Sequence, residues 1–134
     1  MRLTATVPGA AAVLLLVACS RGQSVASPAK DATPAEVLTT YLQALRSGDC
    51  QSAHALATSS FVRGYGELCG ELTVTAYTPL GDPAMPRDGE VVFGTTLTTK
   101  GGDGSMPDGN HTWFYALDRQ PDGAWRIVSA GSGP

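Results

Sequence analysis

The feature that most constrains this chain is a change of hydrophobic period partway along it. Between Thr33 and Gly48 the apolar residues Val37, Leu38, Tyr41, Leu42 and Leu45 recur at intervals of three and four, the repeat of one helix face. From Leu72 the repeat is two. Leu72, Val74 and Ala76 alternate with Thr73, Thr75 and Tyr77, as a strand requires. Helical pattern comes first and strand pattern follows, with no return to helix. That order predicts an α+β fold in which N-terminal helices pack on one face of a four-stranded antiparallel sheet.

Local chemistry supports each boundary. Thr33-Pro34-Ala35-Glu36 is a helix start: Thr33 can accept from the N–H three residues on, Glu36 can reach back, and Pro34 occupies the first helical position, where a missing N–H costs nothing. Gly48 suits the left-handed residue that closes the helix. Asp49 caps a second, short helix with Cys50, Ala53 and Ala57 on one face and His54 beside it. Residues 58–60 interrupt it, and Phe61 to Leu68 form an irregular third turn broken by Gly64 and Gly66. The first strand is expected to stop at Pro79, followed by a loop from Gly81 to Gly89. Further strands follow over 91–99, 111–117 and 125–130. A glycine-rich connection at 101–109 reads as a mobile hairpin tip, and residues 119–123 form a tight turn.

Upstream of the helices the chain has another character. Arg2 is the only charge before an apolar run from Ala10 to Ala18. That run is far short of the roughly 20 residues a spanning helix needs, and suits the core of a secretory signal. Leu16-Val17-Ala18-Cys19 resembles the lipobox of bacterial lipoproteins. The resemblance implies that the signal, residues 1–18, is cut away and that Cys19 becomes the diacylated first residue. Residues 19–32, rich in Ser, Ala, Gly, Gln and Pro, read as a flexible lipidated linker. Residues 33–134 form one domain. The expected location is the outer face of the cell membrane, held by the lipid alone. Loss of residues 1–18 takes the net charge from −3 to −4, which disfavours nucleic acid and provides no basic patch for anionic lipid.

There are three cysteines. If lipidation consumes Cys19, Cys50 and Cys69 remain as a pair in an oxidising compartment, and a disulfide is expected between them. Two cysteines and two scattered histidines lack the ligand spacing of a zinc site, so no metal or cofactor is expected.

The first-helix run Val37-Leu38-Thr39-Thr40-Tyr41-Leu42-Gln43-Ala44-Leu45, the following Gly48-Asp49-Cys50 and the ending Gly123-Ala124-Trp125-Arg126-Ile127 resemble the nuclear-transport-factor-2-like cone, over about residues 33–131. The resemblance implies a sheet curved around the first helix with a cavity at its open end. Tyr41, Phe93, His111, Trp113 and Tyr115 are the candidate cavity residues. Some relatives in that family are isomerases and dehydratases, in which a tyrosine and a protonated carboxyl stabilise an enolate while another carboxylate moves the proton. Tyr41 is the candidate donor. The acids Asp82, Asp88, Asp103, Asp108, Asp118 and Asp122 fall in loops, turns or at a strand end, so Tyr41 lacks a carboxyl partner on this reading. One strand-edge histidine, His111, also lacks a second acid–base group.

Other chemistry-bearing motifs are absent. The 101–109 stretch lacks the Lys-Ser/Thr ending of a phosphate loop and the acidic spacing of a calcium loop, and no Gly-x-Ser-x-Gly elbow occurs. The expected function is therefore a membrane-anchored, non-catalytic domain binding a small apolar ligand or a protein partner. The alternatives are a small isomerase or dehydratase using Tyr41, and an assembly domain pairing as a homodimer through its sheet.

Overall fold

The computed structural model describes residues 24–133. The signal segment, the lipobox and Cys19 lie outside these residues. The elements are α1 (Pro34–Ser47), α2 (Cys50–Ala55), α3 (Ser59–Val62), β1 (Thr73–Arg87), β2 (Glu90–Lys100), β3 (Gly109–Arg119) and β4 (Trp125–Gly131). The strands form one antiparallel sheet in the order β1-β2-β3-β4. The fold is the expected α+β arrangement, with helices on one face of an open four-stranded sheet. Among the described residues, no helix is long and apolar enough to cross a membrane.

α1 begins where the capping chemistry places it. The Thr33 side chain accepts from the Glu36 N–H, and the Glu36 carboxylate accepts from the Thr33 N–H at 2.7 Å. Gly48 closes the helix in the left-handed region at φ 68°. Its buried face is Val37, Leu38, Tyr41, Leu42, Ala44 and Leu45; each large apolar side chain there contributes about 1.5–3 kcal/mol on burial. α1 lies against α2, β1 and β4. The inward rows of the sheet complete the core: Val91, Thr95, Leu97 and Thr99 from β2, Trp113, Tyr115 and Leu117 from β3, and Ile127 from β4. Thr95 is tolerated inside because its hydroxyl donates to the Trp113 carbonyl at 2.7 Å.

The structure corrects the sequence reading in four places. Pro79 does not end β1. The strand runs on through Pro79, Pro83 and Pro86 to the turn at Asp88-Gly89. It can do so because β1 is an edge strand, where a missing N–H need not break a ladder. The register slips between Leu80 and Ala84 and again before Arg87. The parity of β1 also changes early: a shift between Val74 and Ala76 turns Tyr77, not Ala76, toward the core. Residues 58–60 do not merely interrupt a helix, since the Thr58 hydroxyl caps α3. The connection after β2 is not a loose tip. Met106 is buried in the core, and the Thr99 hydroxyl donates to the Pro107 carbonyl at 3.3 Å.

The last part of the stretch read as linker is folded against the domain. The Val25 N–H donates to the Asp49 carboxylate at 2.8 Å, the Ser52 hydroxyl donates to the Val25 carbonyl at 3.2 Å, and Val25 packs on the core. Ala32, at the other end, is buried.

Candidate functional site

The expected disulfide is present. Cys50 and Cys69 are bonded, with Cα atoms 5.6 Å apart. The bridge pulls the segment after α3 back onto the start of α2. A second constraint comes from Gly66, which sits at φ 95° with its Cα facing β4. A Cβ there would lie 2.3 Å from the Ala130 carbonyl oxygen, a contact no side chain survives. Pinned at both points, the segment turns Glu67 inward.

Glu67 becomes the polar centre of the domain. Its side chain is only 9% exposed. One carboxylate oxygen accepts from the Cys69 N–H at 2.6 Å, and the other accepts from the Tyr41 hydroxyl at 3.3 Å. His54 Nε2 lies 3.5 Å from that second oxygen, close enough for charge attraction but without hydrogen-bond alignment. Tyr41 is fully buried. Its ring meets Tyr115 edge-on at 5.5 Å and Phe61 at 6.4 Å. Burial pushes the Tyr41 phenol well above its ordinary range, and the neighbouring Tyr115 and Glu67 push it further. Burial, with Glu67 beside it, does the same to Tyr115. Both phenols therefore remain O–H donors at any ordinary pH. The Tyr115 hydroxyl and the Trp113 indole N–H are buried with no hydrogen-bond partner among the described residues.

Glu67 also reaches the surface of a cleft of about 530 Å³ between the 64–72 segment and the 101–106 loop. Its lining residues include the acidic Glu67, Glu71 and Asp103, the apolar Leu72 and Met106, and Trp113. Among the described residues, no Lys, Arg or His lines it. The Ser105 hydroxyl and backbone N–H hold the Asp103 carboxyl below its usual range. Among the described residues no three His, Cys, Asp or Glu side chains gather as a metal site requires.

The candidate cavity residues thus separate. Tyr41 and Tyr115 lie in the solid core and touch each other. Phe93 packs against that core from β2. Trp113 alone of the five lines the cleft. His111 is drawn aside, its Nε2 paired with the Pro107 carbonyl at 2.6 Å. The carboxyl partner that Tyr41 lacked in the sequence reading is Glu67. It was missed because it belongs to a glycine-broken segment without period, 26 residues downstream. The signal that could have found it is the cysteine pair itself: bonding Cys69 to Cys50 returns the residue two positions before it to the foot of α1.

A second concavity, about 700 Å³, crosses the outer face of the sheet between Leu80, Val92, Phe114 and Ala116.

No protein-family model matches the chain, and no curated protein is similar to it. Among solved structures, an NTF2-like (nuclear-transport-factor-2-like) protein from Cytophaga hutchinsonii is similar, with 16% identity and a TM-score of 0.49; the match covers 74% of this chain and 96% of that one.

Proposed function

We propose that this chain is an exported protein anchored to the outer face of the cell membrane through an acylated Cys19, and that its domain holds a small ligand in the Glu67–Trp113 cleft without transforming it. The observation that carries the binding reading is the engagement of Tyr41. Its hydroxyl is buried and directed at Glu67, so it does not face a substrate oxygen as an enolate-stabilising donor must. Glu67 in turn has one oxygen on the Cys69 N–H and the other on Tyr41. What remains open to a ligand is the cleft wall. Three acidic residues and, among the described residues, no basic one line it, which suits a ligand that brings hydrogen-bond donors or positive charge. Leu72, Met106 and Trp113 suit an apolar part of the same molecule.

Native mass spectrometry of the protein purified from its own host tests this. A bound small molecule that is lost on Glu67→Gln supports the reading; a protein that is empty in every preparation refutes it. Turnover of a bound ketone or enol that Tyr41→Phe abolishes would instead establish the isomerase alternative. The anchor has its own test. Cys19→Ser should release the protein from membranes and abolish lipid labelling, and persistent acylation refutes the assignment. A second reading, pairing of two copies, draws on the apolar trough of Leu80, Val92, Phe114 and Ala116 on the outer sheet face. Light scattering that shows a monomer at every concentration removes it.

A further inference from the structure

The way residues 24–32 lie on the domain gives the proposed anchor a direction. Val25 is held at the first turn of α2: its N–H donates to Asp49 at 2.8 Å, its carbonyl accepts from Ser52 at 3.2 Å, and its side chain joins the core. The Ser52 N–H donates to the Asp49 carboxylate at 3.1 Å, so Asp49 and Ser52 grip Val25 from the same turn. The Ser52 side chain, then the N–H groups of Val25 and Ser52, hold the Asp49 carboxyl below its usual range, so the acceptor is charged wherever the protein works. Further along, residues 27–30 share the wall of a concavity with Ala55 and Leu56, at the far end of α2, and with Ala124 and Trp125. The 24–32 segment is a strap along the second helix.

The strap sets the length of the leash. Six peptide units separate Cys19 from Val25, at most about 20 Å of extended chain. Were the strap free to Thr33, fourteen units would separate them, about 50 Å. It also sets the end of the domain from which the leash leaves. Lys30, Asp31 and Ala32 lie by Arg119 and Gly123, and the Arg119 N–H donates to the Gly89 carbonyl. The β1–β2 and β3–β4 turns and the start of α1 therefore share one end. Val25 sits at the opposite end, beyond the 14 residues of α1, about 20 Å away along the helix axis. The Cys50–Cys69 bridge ties the cleft wall to that same opposite end.

We infer that the strap fixes the orientation of the domain on the membrane, holding the α2 start and the Glu67 cleft toward the bilayer and the Asp88-Gly89 hairpin tip away from it. The inference rests on the acylation of Cys19 proposed above. The cleft then meets its ligand at the bilayer surface.

The test uses the full acylated protein in phosphatidylcholine vesicles carrying a trace of acceptor-labelled lipid. A donor fluorophore is placed through an azido side chain at Gln51, beside the strap root, or at Asp88; both positions are exposed. Energy transfer to the membrane should be several-fold higher from Gln51 than from Asp88. Val25→Pro deletes the N–H that Asp49 accepts and leaves the α2 cap on Ser52 in place, so the two efficiencies should converge with the circular dichroism unchanged. Equal transfer from both positions in the unmodified protein overturns the inference while the anchor stands, and so does a difference that survives Val25→Pro. A protein that fails to co-sediment with the vesicles refutes the anchor itself, and the orientation with it.

Discussion

Tyr41 and Tyr115 invite a paired substitution, because the same hydroxyl is deleted from the same cluster in two opposite states. Tyr41 donates to the Glu67 carboxylate at 3.3 Å. Tyr115 is equally buried, but its hydroxyl has no partner among the described residues. Phe fills the space of either ring, so no cavity complicates the comparison. A hydrogen bond to a charged group is worth about 1.5–3 kcal/mol. The 3.3 Å separation is long for an O–H donor and places Tyr41→Phe near 1.5 kcal/mol. A buried hydroxyl without a partner costs about 1–3 kcal/mol to desolvate, so Tyr115→Phe should be neutral or stabilising. The two substitutions should therefore differ by about 1.5 kcal/mol or more on these magnitudes. Urea unfolding of the unacylated protein measures both. Tyr41→Phe should lower the midpoint by about 1 M, while Tyr115→Phe leaves it unchanged or raises it. Equal losses, or a larger loss for Tyr115→Phe, would refute the account of Glu67 as the centre on which Tyr41 depends.

Replacing both Cys50 and Cys69 by Ala opens a loop with a sequence separation of 19 and should cost about 3 kcal/mol in the chain-entropy model; a loss below about 1 kcal/mol by the same urea assay contradicts it. Gly66→Ala forces a Cβ to 2.3 Å from the Ala130 carbonyl at a positive φ, a loss of about 3 kcal/mol or more, whereas Gly104→Ala, with open space around it, should leave thermal unfolding unchanged. Both buried phenols have folded pKa values above their unfolded ones. Their contribution is therefore fully present below the ordinary tyrosine value of about 10 and is lost as pH rises beyond it. Stability should fall above about pH 10, and the phenolate absorbance of these two residues should appear only with unfolding; phenolate formed while the fold persists would show that they are not sealed.

Much of the fold was legible because it is written in local chemistry. The Thr33–Glu36 box and Gly48 each set one end of α1 through contacts that span a few residues. In 111–117 the residues His111, Trp113, Tyr115 and Leu117 alternate with the rest, and Trp113, Tyr115 and Leu117 face the core together. The cysteine pair was legible once Cys19 was set apart. The sequence could not show that Pro79 would be tolerated, because tolerance depends on β1 lying at the sheet edge. Nor could it show that a slip after Val74 would turn Tyr77 inward, since parity within a strand is altered by a bulge that leaves no periodic trace.

By itself, then, the amino-acid sequence determined the elements, their order, the disulfide and the buried stripe on which Tyr41 sits. Only the tertiary structure decided what Tyr41 touches, where the cleft opens and how residues 24–32 lie. The physical reason is one of range. Capping, propensity and hydrophobic period act over three or four residues and can be read along the chain. The Tyr41–Glu67 contact spans 26 residues and the Val25–Asp49 contact 24. Each forms only because Gly66 fits against Ala130 or a strap packs along α2, and such steric fits exist only once the chain has closed on itself.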